Sequence, residues 1–175
     1  MGNSERKQYK YSIGEYVTYR KVGVCRVEDM TVQNFGGQGK SEYYVLVSVY
    51  DSNTKVFVPV ESELEAEMKK MLTVEEIHAV IDESKNVESL WVDDSRSRAK
   101  VFEEIVNSGD KAKMLWLIRT VSEYKIEMEN SKKKMKAYDT RYLGMAEALV
   151  SADFAYSLNL QKNQVMDYIN KYLAK

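Results

Sequence analysis

The chain has 175 residues, 44% of them hydrophobic and 30% charged, with a formal net charge of −1. That balance fits one large globular domain or two small ones, and it excludes a disordered chain. No run approaches the roughly 20 apolar residues of a membrane span, so no membrane contact is expected.

Up to residue 62 the apolar residues alternate over short runs. They predict strands at Glu15–Arg20, Val24–Gln33, Glu42–Tyr50 and Lys55–Val60. Gly23 punctuates the first turn, residues 34–40 make a glycine-rich loop, and residues 51–54 close the last hairpin. Four or five short strands suit a small curved barrel of the SH3 or Tudor kind. The single cysteine, Cys25, excludes an internal disulfide framework; on its strand it reads as a buried, inert thiol. With the polar start MGNSERKQYK, it points to a cytoplasmic protein.

The stretch 43–62, YYVLVSVYDSNTKVFVPVES, is the most informative. Val56, Val58 and Val60 line one face of its second strand, which leaves Phe57 on the other. An aromatic ring facing away from the core reads as a docking surface. Pro59, the only proline, cannot donate to a ladder, so this strand is predicted to be an edge to which a partner strand can add.

Residues 63–72 read as an acidic connector, partly helical because Leu64, Met68 and Met71 fall at helical spacing. Beyond it the periodicity is helical. Thr73 and Glu76 form a capping box, with Leu72 and Ile77 as a hydrophobic staple, and Ile77, Val80 and Ile81 make the buried stripe. Asp93 or Asp94 caps a second helix that stops at Gly109, and Asp110 caps a third that ends near Asn130 and Ser131. A fourth helix starts near Asp139, and a fifth carries Val165, Ile169 and Leu173. The fold class is therefore α+β in two domains: a β-barrel over 1–62, the connector 63–72, and an all-α domain of about five helices over 73–175.

Charge is segregated along the chain: residues 1–60 sum to +2, 61–94 to −8 and 95–175 to +5. The basic last segment hints at a polyanionic partner. Catalytic groups are scarce. The lone histidine, His78, sits in a helical pattern among acidic residues and reads as a surface residue. There is no phosphate-cradling glycine loop and no metal-ligand spacing. No enzymatic activity, cofactor, metal or small-molecule substrate is expected.

The stretches YSIGEYVTYRKVGVCRVEDM at 11–30 and YYVLVSVYDSNTKVFVPVES at 43–62 resemble the CarD/CdnL family of bacterial RNA polymerase-binding proteins. The family's N-terminal module is shared with transcription-repair coupling factor. WVDDSRSRAKVFEEIVNSGD at 91–110 and LIRTV at 117–121 are similar to its helical domain. The resemblance implies a transcription regulator whose Tudor-like module binds the polymerase β subunit. It also implies a helical domain that contacts promoter DNA nonspecifically, at backbone and minor groove, and stabilises the open complex. A pure protein-interaction module that never engages DNA is the alternative. Many members place an arginine directly before Val-Pro; here Phe57 precedes Val58 and Pro59. The polymerase-binding set is then Phe57 and Pro59, with Lys55 and Arg20 as nearby charges. Better-known members carry a wedge tryptophan where this chain has Ser95, four residues after Trp91.

The candidate DNA-binding residues are Trp91, Arg96, Arg98, Lys100, Lys132, Lys133 and Lys134. Cations at the start of a helix oppose its dipole, which favours a role with anions; pairing with Asp93, Asp94 or Glu103 is the structural alternative. Trp91 either packs the domains together or stacks on DNA. The run Lys132–Lys136 is either a solvated connection or part of one phosphate-binding surface with Arg96 to Lys100. The protein is expected to act as a monomer.

Overall fold

The computed structural model describes residues 8–37 and 39–175. The polar start up to residue 7, and Gln38 of the glycine loop, lie outside them. The chain divides into two compact units, Met1–Met71 and Leu72–Lys175.

Four strands of the first unit follow the alternation of its apolar residues: β1 (Tyr16–Tyr19), β2 (Gly23–Gln33), β3 (Ser41–Ser48) and β4 (Lys55–Pro59). A short helix, α1 (Glu63–Ala66), and a three-residue strand, β5 (Met68–Lys70), complete it. The sheet is antiparallel with order β4-β3-β2-β1-β5. β4 and β5 do not pair with each other, so the sheet is open and not the closed barrel expected. One register shift between Val27 and Asp29 bends the long β2–β3 ribbon around a core of Val17, Cys25, Val27, Tyr44, Leu46 and Val58. Burial pushes the Cys25 thiol up to about 11, as suits an inert side chain.

The expected connector is corrected by this sheet. Residues 63–70 fold into the first unit, because Met68 and its two following residues pair with Tyr19, Thr18 and Val17 of β1. Two tyrosines fix the segment. Tyr11 donates to the Met68 carbonyl at 2.6 Å, and Tyr44 donates to Glu65 Oε1 at 2.9 Å. Glu65 is thereby buried without being orphaned, since its other oxygen accepts from the Glu61 amide at 2.7 Å.

The second unit is helical: α2 (Val74–Ser84), α3 (Ser95–Ser108), α4 (Lys111–Asn130), α5 (Ala137–Leu158) and α6 (Val165–Leu173). The starts are the ones the cap chemistry predicts. Thr73 forms the capping box with Glu76, Asp94 accepts from the Ser97 amide, and Asp110 accepts from the Lys113 amide. Gly109 ends α3 at φ 74°, a left-handed conformation that costs any residue with a Cβ. The core runs through Ile77, Phe102, Leu117, Ala146, Val150 and Phe154, with α5 packed against α3, α4 and α6. Thr73→Ala should remove one arm of the capping box and cost about 1 kcal/mol, read from the urea midpoint of the full chain.

His78 is not a free surface residue. Its ring stacks on Tyr172 at 4.4 Å between centroids, and its Nε2 shares a hydrogen bond of 2.6 Å with the Tyr168 hydroxyl, tying α6 to α2.

Candidate functional site

β4 lies at one edge of the sheet and pairs only with β3, as its proline predicts. The direction of its backbone groups follows from one bond. The Val60 amide donates to the Glu42 carbonyl across the pair at 2.9 Å. Backbone groups alternate sides along a strand, so Val56 and Val58 also turn theirs toward β3. Lys55 and Phe57 turn theirs to the open edge, and Pro59 has no N–H to place there. The open edge is therefore two residues of free ladder with a stop at its end.

The face carrying Phe57 is aromatic. Phe57 is 41% exposed, while Val58 beside it is fully buried on the core side. Phe35 sits 5.2 Å from the Phe57 ring and 5.0 Å from the Tyr43 ring, both edge-on. Val45, opposite Phe57 in the register, belongs to this outer face, since Tyr44 and Leu46 flanking it point into the core. It is nevertheless only 6% exposed. The result is a small apolar patch contiguous with a free strand edge. Phe35 was not legible as part of it, because the loop 34–40 reads only as glycine-rich; the signal was a lone aromatic ring in that loop.

Of the charges expected near this patch, Lys55 is present and Arg20 is not. Lys55 pairs with Glu28 at 3.3 Å, and Glu28 also meets Arg26 at 3.6 Å. Arg20 follows β1, which is separated from β4 by two strands in the sheet order, and its guanidinium is held by Glu67. That bond holds the Glu67 carboxyl below its ordinary value.

In the helical unit the candidate DNA residues separate into two groups. Arg98 is corrected: it is 3% exposed and forms a bidentate pair with Asp139, at 2.9 and 2.7 Å, itself fully buried. Its Nη1 donates to the Val92 and Asp93 carbonyls at 2.7 and 3.0 Å. Four of the five guanidinium N–H groups are thus engaged, and the buried side chain is not presented to a phosphate. Trp91 lies flat to one side of it, the guanidinium carbon 4.3 Å from the ring centre, with Tyr124 at 4.9 Å from the Trp91 ring. The Trp91 indole N–H donates to Asp93 at 3.1 Å. Trp91 is half-buried within the helical unit as part of this stack.

Arg96 and Lys100 are exposed, one helical turn apart on α3, and Lys132, Lys133 and Lys134 are exposed between α4 and α5. The cleft beside Trp91, about 560 Å³, is lined by Asp93, Asp94, Glu127 and Lys136. Three carboxylates against one lysine, with Arg98 already neutralised, do not make an anion site. Among the described residues no helix is long and apolar enough to cross a membrane.

A comparison with curated proteins returned no match. The family model for the CarD-like/TRCF RID domain matches residues 11–72. Its limits coincide with the sheet just described, from the Tyr11 hydroxyl at one end to β5 at the other. The first unit of this chain belongs to the CarD-like RNA polymerase-interacting domain family.

Proposed function

We propose that this protein is a transcription regulator that docks on the RNA polymerase β subunit through β4. A strand of the β subunit adds to the open edge at Lys55 and Phe57, and the Phe57–Phe35–Tyr43 patch covers its apolar side chains. The observation that carries this reading is the coincidence of free edge and exposed aromatic patch on one strand of a polymerase-interacting domain. Specificity then comes from the rings and the ladder, with Lys55 as a flanking charge, and Arg20 plays no part. The test is a titration of the full chain with a purified β-subunit fragment, in which absence of binding would sink the proposal.

The helical unit is proposed to meet promoter DNA through Arg96, Lys100, Lys132, Lys133 and Lys134. These contacts would be to phosphates, weak and indifferent to sequence, with affinity in the roughly 10⁻⁴–10⁻⁶ M range at physiological salt. Changing Arg96 and Lys100 to Glu should lower duplex affinity on every sequence alike and shorten the open-complex lifetime with purified polymerase. An unchanged lifetime would favour the protein-only interaction module. One observation already leans that way: the cleft beside Trp91 is acidic, and Arg98 is sequestered.

A further inference from the structure

A groove of about 250 Å³ lies along the helical unit where α4 meets α6. On α4 it is lined by Ile118, Ser122 and Ile126, each four residues from the next and so on one face. On α6 the facing residues are Met166, Ile169 and Leu173. Ile126 is 59% exposed, a large apolar side chain left in water beside an apolar floor.

Two carboxylates line the same groove, Glu123 from α4 and Glu147 from α5. Among the described residues no salt bridge reaches either one. Glu147 is half-buried, and desolvation pushes its carboxyl above the ordinary value, with Lys125 only partly opposing. The one cation in the lining, Arg119, donates to the Ser84 carbonyl at 3.3 Å. The groove therefore offers apolar surface together with two carboxylates that, among the described residues, no salt bridge neutralises.

That combination selects the occupant. Nucleic acid and anionic lipid are repelled by the carboxylates. A drug-sized ligand is poorly matched, because such pockets run to about 300–1,000 Å³. One or two apolar side chains with a neighbouring cation fit both the volume and the charge. We propose that this groove docks an amphipathic helical segment of a protein partner, which places an apolar side chain between Ile118, Ile126 and Met166 and a Lys or Arg against Glu147 and Glu123. It is a second protein-binding surface, on a different unit from β4 and of different chemistry.

The test uses the full chain and three fluorescein-labelled synthetic helical peptides. The first carries leucines on one face flanked by Lys and Arg. The second has Glu in place of those cations, and the third has Ala in place of the leucines. Fluorescence anisotropy should show the first binding at least tenfold more tightly than the other two. Ile126→Ser, and separately Glu147→Gln, should each weaken it by several-fold, while the backbone amides of α4 and α6 shift on binding in heteronuclear spectra. Glu147→Gln should also raise the melting temperature at about pH 7, because it removes a charge that burial disfavours, which makes it a folded control. Equal binding of the three peptides, absence of binding, or indifference to Ile126→Ser would each overturn the proposal. So would sedimentation showing a dimer of the chain that Ile126→Ser dissociates, since the groove would then belong to a second copy.

Discussion

Asp139→Ala is expected to destabilise the helical unit by about 3–5 kcal/mol, the loss typical when one partner of a buried ion pair is removed and the other stays behind uncompensated. For a unit of this size that lowers the melting temperature by about 12 °C or more. The mechanism is specific. Arg98 would keep its bonds to the Val92 and Asp93 carbonyls but would lose both bonds to a carboxylate that is fully buried. Arg98→Lys should cost nearly as much, because an ammonium cannot span the two carboxylate oxygens and the two carbonyls together. Replacing both residues by leucine should recover much of the loss. Thermal and urea melts of the full chain measure all three. Arg96→Ala, at an exposed position two residues away, should shift the melt by less than about 0.5 kcal/mol. If Arg98→Ala instead left the melt unchanged and weakened DNA binding, the guanidinium would be a phosphate ligand after all.

Phe57→Ala carries the second large effect. As the exposed anchor beside the free edge, it should weaken binding to the β-subunit fragment by about 2 kcal/mol, roughly thirtyfold, while leaving the far-UV spectrum and melt nearly unchanged. Lys55→Pro is the complementary change. It keeps the aromatic patch but deletes one outward-facing N–H, at a position where the β3–β4 ladder does not use it. If strand addition is the mode, both variants lose affinity, and Phe57→Ala should lose more. If Phe57→Ala unfolds the domain, the ring belongs to the core. If Lys55→Pro binds as the wild type does, only the patch is recognised and no strand is added.

What could be read from the sequence was local, and what could not was at long range. Thr73, Asp94, Gly109, Asp110 and the alternating valines announce helix ends and strand faces within a few residues of themselves, and those elements stand where the pattern puts them. β5 is three residues, Met68, Lys69 and Lys70, with no β-branched or aromatic member. It is a strand only because β1, some 50 residues earlier, supplies the ladder. Arg98 looked like one cation in a basic helix start because its partner lies 41 residues downstream. Nothing in local spacing separates it from Arg96. Phe35 joined the aromatic patch through the curl of the β2–β3 ribbon, which the glycine loop conceals.

The short β5 also bears on stoichiometry. A sheet with two open edges can be extended from both, and chains joined that way propagate into fibres. Here the edge beyond β1 is the molecule's own Met68–Lys70, three residues long with both lysines exposed, while β4 offers the longer bare edge. Short edges that carry charged side chains are poor templates for pairing, so β4 is the edge suited to accept a strand. If docking is by strand addition, one usable edge gives one docked strand per molecule, and chains of the domain would not link edge to edge into fibres.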